Sequence, residues 1–245
     1  MNSELLFNRL FGVGNYSITI DGFFLHGIAN VGDKEFKIIG TCKSVAIDSK
    51  LALRISEKIL ETIFEDKDKA VKRSIIFLVD TQGHKLSRLE EYIGINGYFA
   101  HMAKCIFLAG LCEHKTLSIV HGEAVSGCFL AFAMMADRVC ALEDAKIYVM
   151  DLRAMSKITK IDYEKLLELS NTSPIFAPGV YNYWLMGGVH EIWFNKDNWQ
   201  EKLLKAVDYV SKIDNRYELG AIRQGRIKAK EVISVIKSHC KGINV

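Results

Sequence analysis

The sequence predicts an α/β fold with a mostly parallel core sheet, and three observations carry that prediction. Ser74–Val79 (SIIFLV) and Leu117–Val120 are short apolar runs bounded by polar residues, as strands buried on both faces are. Each leads into a glycine-bearing loop, Asp80-Thr81-Gln82-Gly83-His84 in the first case and His121-Gly122 through Ser126-Gly127 in the second. Each loop then enters a helical pattern. Two successive β-loop-α units place both loops on the carboxyl edge of the sheet, where parallel sheets collect their ligand sites.

The elements follow in order. The opening residues MNSELLFNRLFG carry Glu4 and Arg9 among their apolar positions and show no signal-peptide pattern. Ser17–Ile20, Phe23–Ala29 and Glu35–Ile39 gather β-formers around Asp21-Gly22 and Gly32-Asp33, which predicts a small β-meander. Asp48 caps a helix whose Ala52, Ile55, Ile59 and Ile63 share one face, until the charged stretch Glu65–Lys69 ends it. After the first glycine loop, Tyr92–Cys112 reads as one long helix with Tyr92, Ile95, Phe99, Met102 and Ile106 on a core stripe. Asn96, His101 and Lys104 interrupt it too often for a membrane span. The helix from Cys128 to Ala136 is apolar on every side and is expected to be buried, with Ser126 as its N-cap. Strands follow up to Leu142 and over Ala145–Met150, then a helix over Asp162–Leu169, a rigid connector over Ser173–Gly179 and terminal helices over Asp197–Ile213 and Lys228–His239. Trp184, Gly187, Gly188, His190 and Trp193 mark Tyr181–Phe194 as a candidate docking surface or, the more frequent case, as aromatics of a helical core.

Composition bounds the function. The 245 residues are 49% hydrophobic and 25% charged, with two prolines and no linker-like run, which fits one domain over 1–245. A net charge of +3 without any recognition motif argues against nucleic acid. The late cations Arg223, Arg226, Lys228, Lys230, Lys237 and Lys241 read as a solvated helix face, with an acidic partner as the less common alternative. Six cysteines without a CxxC pair, mostly within apolar runs, suit reduced thiols and a cytoplasmic protein. There is no GxGxxG after a strand, no GxxxxGK and no metal-ligand spacing.

What remains is backbone chemistry. A helix start carries unpaired N–H groups and the positive end of the macrodipole, so Gly127 offers an anion or oxyanion a close approach, unless the glycines serve packing alone. Each such donor is worth on the order of 3 to 4 kcal/mol to a transition state. Ser126 lacks the hydrolase-elbow glycines, since Ala124 and Cys128 stand at those places. His84 and His121 flank the loops as proton shuttles or as structural side chains.

The DTQGH loop followed by HGEAVSGCFLAFAMMADRVCALEDAKIYVM resembles the paired glycine loops of crotonase-like carboxyltransferases. VDTQGHKLSRLEEYIGI, VMDLRAMSKITK and ELSNTSPIFAPGV are similar to the gamma subunit of biotin-independent malonate decarboxylase, over Ser74 to Trp193. The resemblance implies a crotonase-like spiral of ββα units with C-terminal helices, and an active site shared with a beta subunit. It implies a carboxy-lyase that converts a malonyl thioester to an acetyl thioester, without biotin, metal or a cofactor on this chain. The thioester would ride on the phosphopantetheine-like arm of an acyl-carrier subunit. By position the site residues are Gly83, His84, Ser126 and Gly127, with His121 nearby. The alternatives are a carboxyltransferase subunit of a biotin-dependent carboxylase and a non-catalytic scaffolding subunit. Two positions depart from the pattern. Gln82 stands where relatives usually have Pro, and Glu123 would oppose an anion unless it points away or is protonated.

Overall fold

The structure is a computed structural model and describes residues 2–172 and 178–240. Most of the connector expected over 173–179, and Lys241, lie outside the described residues. Helix α1 (Ser3–Phe11), capped by Asn2, buries Leu6, Phe7, Leu10 and Phe11. Strands β1 (Tyr16–Asp21), β2 (Phe24–Val31) and β3 (Lys34–Thr41) form the expected antiparallel meander. A short β4 (Val45–Ile47) leads to α2 (Ser49–Glu65), whose start is fixed by the Asp48 carboxylate accepting Leu51 N–H at 2.9 Å.

The first β-loop-α unit is β5 (Ser74–His84), α3 (Arg88–Tyr92) and α4 (Ile95–Leu111). The long helix expected over Tyr92–Cys112 is two helices, because Gly94 sits at φ +74° and breaks the first from the second. Tyr92 is therefore not on the core stripe but is 86% exposed. The second unit is β6 (Thr116–Val125), α5 (Ser126–Cys128) and a π-helical turn (Phe129–Ala133). Then come β7 (Arg138–Leu142), β8 (Lys146–Tyr148), α6 (Leu152–Thr159), α7 (Tyr163–Thr172), α8 (Val180–Leu185), β9 (Glu191–Trp193), α9 (Trp199–Asp208), α10 (Arg216–Ile222) and α11 (Ile227–His239).

The sheet runs β1-β2-β3-β5-β6-β7-β9, parallel from β3 onward. Alternation along β5 shows why its run is continuously apolar. Ile75, Phe77 and Val79 pack with Ile55 and Ile59 of α2 and Met102 of α4, while Ile76 and Leu78 pack with Leu10 of α1 and Leu203 of α9. The first glycine loop turns out to be strand as far as His84, and the second is strand as far as Val125, where α5 begins. β4 pairs with the far end of β5 and β8 with the far end of β6, each beyond an irregularity in the β5–β6 register.

Two surface expectations are corrected. Trp193 is fully buried, and Trp184 lies beneath Arg223, whose guanidinium carbon stands 4.3 Å from the ring centroid, so Trp184–Trp193 packs inward. Arg223 is no solvated cation. Its guanidinium donates to the carbonyls of Trp184, Val189 and His190 at 2.7 to 2.9 Å. The cysteines are free among the described residues, with Cys42, Cys105, Cys128 and Cys140 buried.

Candidate active site

The two loops meet where expected. A Cβ placed on Gly83 would lie 3.6 Å from Ser126 Cβ, so the ends of β5 and β6 are in contact. Beside them a cleft of about 270 Å³ is lined by His84, Glu91, Ile95, Asn96, Phe99, Gly127 and Cys128. His84 and Gly127 thus share one cavity.

The loops differ in what they present. Thr81 is fully buried, donates its hydroxyl to Val45 C=O at 2.7 Å and accepts Gly83 N–H at 3.1 Å. The Gly83 N–H, expected to be a donor toward a ligand, is already occupied. The need for glycine there is its φ of +110°. At the second loop Gly127 is exposed, and a Cβ there would meet nothing within 4 Å. Its N–H opens the helix and has no intrahelical acceptor.

Ser126 is not the expected N-cap. Val125 holds that place in extended conformation with no side-chain cap, and Ser126 takes the left-handed φ of +59°. This turns the chain sharply from strand to helix and points the Gly127 side of the helix outward. Ser126 Oγ makes no hydrogen bond among the described residues, so no base activates it. Cys128 is also inert as a nucleophile, since burial pushes its thiol up to about 12.

His121 is not brought to the cleft. Its Nε2–H donates to Thr41 C=O at 3.0 Å, and burial lowers its pKa against the opposing pull of Asp80, leaving a neutral structural ring. Glu123 is turned away as well. It accepts the Ser44 hydroxyl and lies 3.9 Å from Lys146 Nζ, so its charge is directed away from Gly127. The buried Asp80 carboxylate accepts Ser44 N–H at 2.9 Å and Glu123 N–H at 2.8 Å. Gly122 makes room for it, because a Cβ there would fall 2.2 Å from Asp80 Oδ1.

Gln82, where the resemblance leads one to expect proline, is exposed. It borders a larger open groove of about 550 Å³ rather than the cleft. In that groove Arg54 pairs with Asp21 at 2.6 Å and Lys85 with Asp48 at 3.6 Å. The smaller cleft is the better candidate, because it joins an open helix start to a titratable side chain. Sequence reasoning missed Glu91 and Asn96. The signal for them was their position on the first helical turns after a strand-end loop, which a single-helix reading of Tyr92–Cys112 hid.

Among the described residues no helix is long and apolar enough to cross a membrane. The chain matches the model of the malonate decarboxylase gamma subunit family over residues 42–240. It is 29% identical to the malonyl-S-ACP:biotin-protein carboxyltransferase of Malonomonas rubra, over 86% of this chain and 81% of that protein. The fold is similar to a Pseudomonas malonate decarboxylase hetero-tetramer in complex with coenzyme A, with a TM-score of 0.80 at 18% identity over 96% of this chain and 97% of that one. A Pseudomonas malonate decarboxylase MdcD–MdcE hetero-dimer gives 0.75 at 19% identity over 96% and 97%. The fold is thus that of the crotonase-like carboxyltransferases the loops resembled, and with most of its length covered by the family model the chain belongs to the malonate decarboxylase gamma subunit family.

Proposed function

We propose that this chain, paired with a second crotonase-like subunit, decarboxylates a malonyl thioester to an acetyl thioester in the cytoplasm. The observation that carries the reading is the cleft in which the open helix start at Gly127 meets His84. The thioester rides on a phosphopantetheine-like arm of a small acyl-carrier subunit, a substrate supported by the named activity of the Malonomonas rubra relative. No cofactor is held by this chain. Cleavage of the bond between carbon 2 and the carboxylate releases CO2 and moves the electron pair toward the thioester oxygen. The N–H groups of Gly127 and its neighbour Cys128 stabilise that enolate, an interaction that strengthens as charge develops. A proton then passes to carbon 2, and His84 is the side chain in the cleft best suited to deliver it.

The same relative favours a second reading, in which the carboxyl group is transferred to biotin on a partner protein. The purified pair is given malonyl thioester and a biotinylated acceptor protein, with and without excess avidin, and acetyl thioester is measured. Decarboxylation continues with avidin under the first reading and stops under the second. The chain alone turns over negligibly, and full activity from the verified monomer overturns the shared-site reading.

A further inference from the structure

The strand that leads to the cleft is out of step with its neighbour. Val79 of β5 lies beside Val120 of β6 and Thr81 beside Ala124, so Asp80 alone faces three residues, His121, Gly122 and Glu123. β6 is bulged there, and the chain beyond it, from Ala124 through Val125 to the helix start at Gly127, takes its place from the bulge. A slip by one residue would turn every side chain to the other face, whereas a slip by two keeps each on its own. Burial of Ala124 and Val125 therefore gives little resistance to the bulge being drawn flat, which would carry Gly127 about 6 to 7 Å along the strand.

One side chain opposes that slip. The buried Asp80 carboxylate lies against the bulge in the room left by Gly122, and its Oδ1 accepts the Glu123 N–H at 2.8 Å. Its Oδ2 accepts the Ser44 N–H at 2.9 Å. Lys43 and Ser44, which lead into β4, hold left-handed φ values of +61° and +50°, a strained pair that persists only where its surroundings fix it. The Ser44 hydroxyl donates back to the Glu123 carboxylate, and His121 at the other end of the bulge donates to Thr41 C=O. Asp80 itself does not line the cleft. We infer that Asp80 is a positioning residue for the decarboxylation: through the Glu123 N–H it fixes the β6 bulge, and with it the point at which the Gly127 N–H meets the developing enolate. The reaction it serves rests on the decarboxylase reading; the anchor rests on the bulge alone.

The test uses the assembled pair of this chain and its beta-type subunit. Asp80→Ala removes both acceptors, and Asp80→Asn keeps the shape but turns an amide NH2 toward one of the two N–H groups. Asp80→Ala lowers kcat per folded molecule about a hundredfold, the cost of moving a group by roughly 1 Å, and Asp80→Asn lowers it less. KM changes little, because the interaction lost is one made in the transition state. The comparison is Asp66→Asn. Asp66 is also a buried carboxylate, but it holds the Arg73 N–H at 3.1 Å just before β5 begins, at the opposite end of that strand. Its loss lowers stability and leaves kcat unchanged. Amide exchange within the pair reads the anchor without substrate: in Asp80→Ala it quickens over residues 121–127 and stays slow over Ile75–Val79. Where Asp80→Ala does not fold, Asp80→Asn decides in both measurements. Wild-type kcat per folded molecule, a loss no larger than that of Asp66→Asn, or unchanged exchange over 121–127 overturns the proposal. If the wild-type pair fails to decarboxylate, the activity reading falls, while quickened exchange still upholds the anchor.

Discussion

The ends of β5 and β6 look alike in sequence and do opposite things in the fold. Each is a parallel strand that runs past an irregularity, gains a short extra pairing strand and reaches a glycine before a helix. At the β5 end a buried threonine hydroxyl ties Gly83 N–H to Val45 C=O, and the loop is complete in itself. At the β6 end no side chain caps the helix, and Gly127 faces open space. A glycine at a strand end therefore marks a ligand site only when its N–H has no acceptor inside the fold, and the residue two places earlier decides that here.

Breaking each loop at its glycine should give different readouts. Gly127→Val folds, since nothing lies within 4 Å of the new Cβ. It should lower the activity of the assembled enzyme about a hundredfold or more, the loss of one donor. Helix propensity adds no cost, since glycine is the poorer helix former of the two by roughly a few tenths of a kcal/mol. Gly83→Ala should instead lose stability, about 1 to 3 kcal/mol for a side chain forced to φ +110°, while the folded fraction keeps its turnover. Equal activity losses at the two glycines, normalised to folded protein, would remove the distinction.

The internal tie is tested next. Thr81→Val keeps the shape and deletes the hydroxyl, leaving a buried N–H and C=O unpaired at a cost of about 1 to 3 kcal/mol. Denaturant unfolding should show that loss with an unchanged slope, and the activity per folded molecule should persist. A fall in activity without a fall in stability would return Gly83 to the catalytic set.

The parallel sheet, the meander, the Asp48 cap and the adjacency of the two loops were legible because each depends on local pattern. Buried strands announce themselves by continuous apolar runs, and Asp48 by the helix periodicity that follows it. What stayed hidden depends on tertiary pairing. That Thr81 consumes the Gly83 N–H is decided by β4, three residues whose strand character only the neighbouring β5 reveals. Glu123 was read as an obstacle because its direction is set by Ser44, which is 79 residues away in sequence. Gly94 could have been read as a helix break, and doing so would have turned Tyr92 and Leu89 outward and brought Glu91 and Asn96 to the cleft.

A smaller effect is expected at Ser126. Its left-handed φ costs a non-glycine residue about 1 to 2 kcal/mol. Ser126→Gly relieves this, and the extra freedom of glycine in the unfolded chain offsets part of the gain. The melting temperature should rise by a few degrees at most, at about 2 to 4 °C per kcal/mol for a chain of this size. Ser126→Ala keeps both the strain and the backbone N–H and should keep turnover. Loss of turnover in the folded Ser126→Ala variant would make the hydroxyl part of the chemistry.

The smallest effect separates the two histidines and shows only in acid. Burial holds the His121 pKa below its ordinary value, with Asp80 opposing, so the folded protein keeps this ring neutral where the unfolded chain has begun to protonate it. As pH falls below about 6.5 the unfolded state binds the extra proton first, and stability declines with falling pH. Above that value the contribution is fully present. His121→Asn should remove this part of the acid slope, at the cost of the hydrogen bond to Thr41, and should leave the pH profile of turnover unchanged. His84→Gln should do the reverse, altering the pH profile of turnover while the acid slope of stability persists. If His121→Asn shifts the turnover profile, the proton enters from the Thr41 side of β6, and the open cleft at Gly127 is not where the carbon is protonated.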